Sequence, residues 1–383
     1  MNKEKTRIVI SGVEGVNKGA ELMLYAILSQ IEQRYPNAEV FLPISQFPNG
    51  LKCIKTSLIL KQNPNKLVRF LGKYHITGIL NRLGLRFKYL NNLFPIKDVK
   101  YYLDASGLYF SDQMITSRRT AADLHILLEG YKRQGTKIIY LPQAYGPFQT
   151  QPSNIAIQAA LKYSNLLIAR DTISMQYLTK LMPLTDRIKQ FPDFTSPIHG
   201  VVPLEYSYLK NRVCIILNSQ IVRKGTMQKD QYLAFMTNMI NTIYDAGYES
   251  FFLDHANDIN LIKECRKYVS YDIPIVSNLD ALSVKGIIGQ SYLCISSRFH
   301  GVASAFSGGV PCLTTSWSHK YQELLRIYGM EALLLSGSNE DNLIKVRKLL
   351  NPEENARVKA QLLAKNEVVE KSVKEMWECV WDI

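Results

Sequence analysis

The run Tyr292-Leu-Cys-Ile-Ser-Ser-Arg-Phe-His-Gly-Val-Ala-Ser-Ala-Phe-Ser-Gly-Gly-Val-Pro-Cys-Leu-Thr-Thr315 decides the fold. Tyr292–Ser296 is mostly apolar, the pattern of a strand buried on both faces. A turn over 297–301, a helix over 302–307, a Gly308-Gly309 stop and a second apolar strand, Pro311–Thr315, follow. Strand, helix and strand in so short a span form a βαβ unit with parallel strands.

The same alternation continues outward. Upstream come strand Val213–Leu217, helix 228–246, strand Phe251–Leu253, helix 258–268, strand 274–277 and helix 280–289. Downstream come helix 319–328 and a helical tail over 353–381. The first half repeats the pattern: strand Lys5–Gly12, helix Ala20–Arg34, strand Glu39–Ile44, strand Tyr101–Ala105, helix 118–134, strand Lys137–Pro142, helix 153–164, strand Leu166–Ala169 and helix 172–181. Two consecutive sets predict two doubly wound, Rossmann-like α/β domains, as 383 residues at about 100–200 per domain also imply. The expected boundaries are 1–200 with a basic insertion over 46–98, then 212–350, then a C-terminal helix over 351–383 that packs back on the first domain. Two such domains facing a cleft would bind ligand beyond the strand ends.

Composition narrows the class. No apolar stretch is long enough for a spanning helix, and the N-terminal apolar run reads as a strand rather than a secretion signal. The six cysteines are scattered without a Cys-x-x-Cys pair, which suits reduced core residues in a cytoplasmic protein and argues against zinc. The net charge is +13, yet residues 51–100 hold eleven Lys/Arg against the single acid Asp98, a surplus of ten. Charge confined to one insertion, with no recognition helix, points away from nucleic acid.

Five motifs sit at predicted strand ends. Gly12 to Glu21 carries Gly12, Gly15, Asn17, Lys18 and Gly19 into the first helix, with spacing of neither a dinucleotide fingerprint nor a P-loop. Its helix N-terminus suits an anion. Asp104-Ala-Ser106-Gly107 and Gln143-Ala-Tyr145-Gly146-Pro147 supply small residues that leave a site open. Arg170-Asp171-Thr172 places a guanidinium, able to hold a carboxylate or phosphate, beside a helix cap. Ser297-Arg298-Phe-His300-Gly301 joins an anion-binding Arg to a His able to carry a proton near neutral pH. Lys320, after the next strand, is a further cation. No metal motif or nucleophile elbow stands out.

This ordered set resembles the polysaccharide pyruvyl transferases over roughly 7–335. The resemblance implies a fold like the two-domain glycosyltransferases of the B type. It implies transfer of the enolpyruvyl unit of phosphoenolpyruvate to a sugar, forming a pyruvate ketal and releasing phosphate, with no cofactor and no metal. The family's Arg-x-His core maps onto Arg298 and His300, the catalytic pair. Arg170, Lys320, Asn17, Lys18, Gly19, Ser106, Gly107 and Gly301 are the expected substrate-binding residues. The chain departs from the family pattern at Ala20-Glu21 and at Ala105-Ser106-Gly107. The alternative function is a nucleotide-sugar-dependent glycosyltransferase of the same fold.

The basic segment mixes Lys/Arg with Leu67, Phe70, Ile76, Ile79, Leu83 and Phe87 at helical spacing. Two readings stand. It docks on the anionic inner face of the cell membrane, where lipid-linked sugar acceptors sit; or it is a solvated insertion whose apolar face packs on its own domain.

Overall fold

The computed structural model describes residues 5–13, 15–42, 54–62, 95–183, 185–316, 318–336 and 338–383. Most of the basic segment, 63–94, lies outside them, and with it the expected amphipathic helix. The chain forms two compact units. Residues 1–15, 27–191 and 376–383 make the first, and residues 16–26 and 192–375 the second.

The first unit carries a parallel sheet of β1 (Arg7–Ser11), β2 (Glu39–Leu42), β3 (Ile59–Gln62), β4 (Val99–Asp104), β5 (Lys137–Gln143), β6 (Leu166–Ala169) and β7 (Ile188–Gln190). Its spatial order is β3-β2-β1-β4-β5-β6-β7. The order reverses between β1 and β4, where doubly wound sheets hold their ligands. Helix α1 (Lys18–Arg34) links β1 to β2, and α2 (Arg118–Arg133), α3 (Gln151–Tyr163) and α4 (Thr172–Leu181) link later strands. The core gathers Tyr102, Phe110, Leu128, Ile138, Tyr140 and Tyr145. The chain's end closes on this unit: the Trp381 ring stands edge-on to Tyr35 and Tyr101, with centroids 5.9 and 5.4 Å away.

The second unit carries β8 (Val213–Ile216), β9 (Ser250–Leu253), β10 (Ile275–Val276), β11 (Leu293–Ser296) and β12 (Cys312–Thr314), in the order β10-β9-β8-β11-β12. Its reversal falls between β8 and β11, whose residues are all buried. The connections are α5 (Gln220–Arg223), α6 (Lys229–Asp245), α7 (Ile259–Arg266), α8 (Ala281–Gly289), α9 (Phe299–Ser307) and α10 (His319–Tyr328). Helices α11 (Asn339–Leu350) and α12 (Pro352–Trp381) follow. Cys214, Cys294 and Cys312 sit in register on three adjacent strands, buried and unbridged.

Several features differ from the sequence-based expectation, the unanticipated short helix α5 among them. Strands β3 and β7 were not anticipated. Both are short edge strands with polar residues, Ile-Leu-Lys-Gln and Ile-Lys-Gln, because an edge strand is covered on fewer sides. Helix α11 was also missed. Helix α9 starts at Phe299, not at 302, which puts His300 inside its first turn. Ser296 makes the early start possible. Its Oγ accepts from Arg298 N at 3.1 Å and donates to Arg298 O at 3.0 Å, folding the chain tightly into the helix.

Candidate active site

At the reversal point of the second sheet, the turn between β11 and α9 is held from several directions. Ser297 N donates to Ile216 O at 3.0 Å, and Asn218 Nδ2 donates to Ser297 O at 2.6 Å, tying β8 to β11. The Tyr321 hydroxyl donates to the same carbonyl at 2.9 Å. Tyr232 and Thr315 hydroxyls both donate to Ser297 Oγ, at 2.9 and 2.8 Å. Gly301 completes the seat, since a Cβ there would lie 2.4 Å from Ser296 Oγ and 3.1 Å from Ile216. No side chain caps α9, so its N-terminal N–H groups remain directed beyond the strand end.

Residues 16–26 belong to this unit and meet His300 directly. Asn17 Oδ1 accepts from Gly19 N at 3.1 Å and so turns the chain into α1. A Cβ on Gly19 would lie 2.1 Å from Nδ1 of His300, so only glycine lets the imidazole lie there. Lys18 pairs with Glu21 at 2.7 Å, and its backbone N–H donates to His255 O at 3.3 Å. The other Glu21 oxygen accepts from Ala281 N at the start of α8.

Arg298 is engaged with the protein on one edge. Its Nε donates to Asp258 Oδ2 at 3.1 Å and its Nη2 donates to the same oxygen. Asp258 is itself fixed by Ser219 N on its other oxygen. Lys320 Nζ lies 5.6 Å from the Phe299 ring centroid, beside the first residue of α9.

His255 follows β9 and is buried, with Nδ1 making no hydrogen bond. Burial first, then the positive charges of Arg298, His300 and Lys18, push its imidazole well below the ordinary histidine range and keep it neutral. Four basic side chains, Lys18, His255, Arg298 and His300, therefore share one electrostatic neighbourhood. His255 was not singled out from sequence. Its signal was the stretch Asp254-His255-Ala-Asn-Asp258, which sits after a strand as the other motifs do.

Asp193 stands across from His300, with 3.4 Å between Asp193 Oδ2 and His300 Nε2. Its Oδ1 accepts from Thr195 N at 3.0 Å and Thr195 Oγ1 at 2.5 Å. Lys285 of α8 is buried under this turn, donating to Thr195 O at 2.7 Å and Ser196 O at 3.1 Å. Burial lowers its ammonium to about 8, against the opposing pull of Asp193 and Glu370.

Of the residues expected from sequence, the second unit brings together Asn17, Lys18, Gly19, Arg298, His300, Gly301 and Lys320. Ser106, Gly107 and Arg170 belong to the first unit, at the ends of β4 and β6. There Ser106 N and Oγ donate to Asp104 Oδ1 at 3.1 and 2.7 Å. Burial raises the Asp104 carboxyl while these bonds oppose the rise. Gly12 adopts φ +76°, and a Cβ on it would strike Ser106, so the turns after β1 and β4 interlock. Gly107 is also left-handed, at φ +70°. Arg170 is buried, its N–H donating to Gln143 O at 3.0 Å, and Asp171 caps α4 through Ser174 N.

A sequence model described as polysaccharide pyruvyl transferase matches residues 17–319. No curated protein matches the chain in sequence. Among solved structures, HepE of Anabaena in complex with UDP and glucose shares 10% identity and a TM-score of 0.60, covering 99% of this chain and 100% of that one. UDP-GlcNAc 2-epimerase from Neisseria meningitidis bound to UDP-GlcNAc gives 10% and 0.59 over 99% and 100%. MnaA of S. aureus with UDP gives 13% and 0.57 over 94% and 91%. These likenesses are of fold, and the fold is the glycosyltransferase-B-like α/β architecture expected from sequence.

Proposed function

We propose that this chain, which belongs to the polysaccharide pyruvyl transferase family, moves the enolpyruvyl group of phosphoenolpyruvate onto a sugar, forming a pyruvate ketal and releasing phosphate. The observation that carries the reading is the gathering of Lys18, Arg298 and His300 around the neutral imidazole of His255, at the uncapped N-terminus of α9. A donor with a phosphate and a carboxylate needs such a concentration of positive charge and N–H groups. Arg298 keeps its Nη1 side for the anion while Asp258 holds the other edge. Lys320 stands beside them.

In this reading His300 gives a proton to the methylene carbon of the donor. The new C–H bond takes the double-bond electrons, leaving an oxocarbenium-like centre at C2. One acceptor hydroxyl adds to C2 and loses its proton. A second hydroxyl then adds and loses its proton as the C–O bond to phosphate breaks, and phosphate departs with the bonding pair, while the neutral His300 ring regains a proton. No cofactor enters these steps.

The acceptor, in this proposal, is a sugar of a polysaccharide or its lipid-linked precursor. Ser106 and Gly107 are its proposed contacts in the first unit. The UDP held by the fold relatives favours a second reading, a nucleotide-sugar glycosyltransferase. Release of phosphate from phosphoenolpyruvate, measured across free and lipid-linked sugars, supports the first reading. Release of UDP from UDP-sugars without phosphate release replaces it with the second.

A further inference from the structure

The two nitrogens of His300 face different surroundings. Nε2 is shut off from solvent and makes no aligned hydrogen bond, although Asp193 Oδ2 is only 3.4 Å away. Nδ1 faces the opening of α1, where Gly19 offers no side chain. A substrate therefore cannot reach the ring at Nε2.

Asp193 is built to stay where it is. Its Oδ1 is engaged by both the N–H and the hydroxyl of Thr195, which leaves Oδ2 turned to the imidazole. The turn itself is clamped by the buried Lys285 through the carbonyls of Thr195 and Ser196. Tyr328 adds a contact with Ser196 Oγ at 3.3 Å. So rigid a carboxylate, aimed at a ring nitrogen shut off from solvent, selects a tautomer. Hydrogen bonds of this kind are commonly long before substrate arrives and tighten in the complex.

We propose that Asp193 is the positioning residue for His300: it accepts the hydrogen on Nε2, and Nδ1, above Gly19, is the nitrogen that exchanges a proton with substrate. The proposal rests on His300 as the proton donor of the reaction above. In the transfer, the Nδ1–H bond breaks toward the donor's methylene carbon and the ring keeps the electron pair on Nδ1. The Nε2 hydrogen stays shared with Asp193, which remains a carboxylate throughout. Gly19 is required for the ring to lie there at all, since a Cβ on it would stand 2.1 Å from Nδ1.

The test uses the full chain labelled with nitrogen-15 histidine, with His300→Gln identifying the His300 signals. Spectra are recorded with the ring deprotonated, as its nitrogen-15 shifts themselves report. The expected result is the Nε2–H tautomer in the parent, and a shift toward Nδ1–H in Asp193→Asn, whose amide can donate to Nε2. With phosphoenolpyruvate, Asp193→Asn should lower kcat by roughly 10²–10⁴-fold with KM little changed. Asp193→Glu, which keeps the carboxylate, should recover part of the loss. A parent ring in the Nδ1–H form, or a tautomer unmoved by Asp193→Asn, overturns the proposal. The spectra are independent of turnover. The predicted tautomers without phosphate release would therefore overturn the reaction and leave the hydrogen placement standing.

Discussion

At the scale of single residues, His255 shows how a site is assembled from unlike parts. It is a buried imidazole among Lys18, Arg298 and His300, kept neutral because protonating it would add a charge where several already lie. That has a consequence for stability. Below the ordinary histidine value of 6.5 the unfolded chain takes up a proton at this residue, while the folded chain does not. Folding stability therefore falls as pH drops through that range, by up to about 1.4 kcal/mol per pH unit from this group. His255→Gln removes the effect. Thermal melts should show the variant gaining on the parent between pH 7.5 and pH 5.5, and a pH-independent difference would show that His255 is not held neutral. The same residue marks the limit of reading a sequence. Arg298 and His300 announced themselves by their place between two apolar strands. His255 lay in a loop of Asp and Asn, and its importance comes from neighbours supplied by α1 and α9.

Among elements, the legible parts were those whose residues are buried on both faces. Strands β8 and β11 are continuous apolar runs, and their positions and the helices between them follow from that. Edge strands β3 and β7 mix Ile with Lys and Gln, so nothing in their pattern separates them from loop. The start of α9 was hidden for another reason. The seat for Phe299 and His300 is made by the Ser296 hydroxyl and by Gly301 fitting against Ile216, which are tertiary facts. Nor does sequence foretell that residues 16–26 join the second unit, so that Asn17, Lys18 and Gly19 meet His300. Helix α8 makes a prediction of its own through Lys285. In the folded chain burial lowers its ammonium to about 8, whereas the unfolded lysine titrates near 10.5. Between those values the unfolded chain binds more protons, so stability rises with pH, by on the order of 3 kcal/mol over the window. Lys285→Met lacks this gain. Urea unfolding should find the variant further below the parent at pH 10 than at pH 7, and an equal gap at both would contradict the burial of a titrating amine.

For the whole molecule, two doubly wound sheets, each with its reversal point, provide the framework, and the family supplies the reaction class. No described helix is long and apolar enough to cross a membrane. The charge surplus over residues 51–100 leads to a separate experiment. Part of it is engaged within the protein, as where Lys61 pairs with Glu39 at 2.5 Å. If the remainder docks the enzyme, the chain should float with vesicles containing anionic lipid at low salt and be released at high salt. Failure to float at either salt assigns the segment to packing on its own domain. The reaction itself is tested by phosphate release from phosphoenolpyruvate in the presence of sugar acceptors, comparing the parent with His300→Ala. Acceptor-dependent release by the parent is expected, with a loss of at least about 10²-fold in a variant that keeps its circular dichroism. Near-parental release by His300→Ala would contradict it.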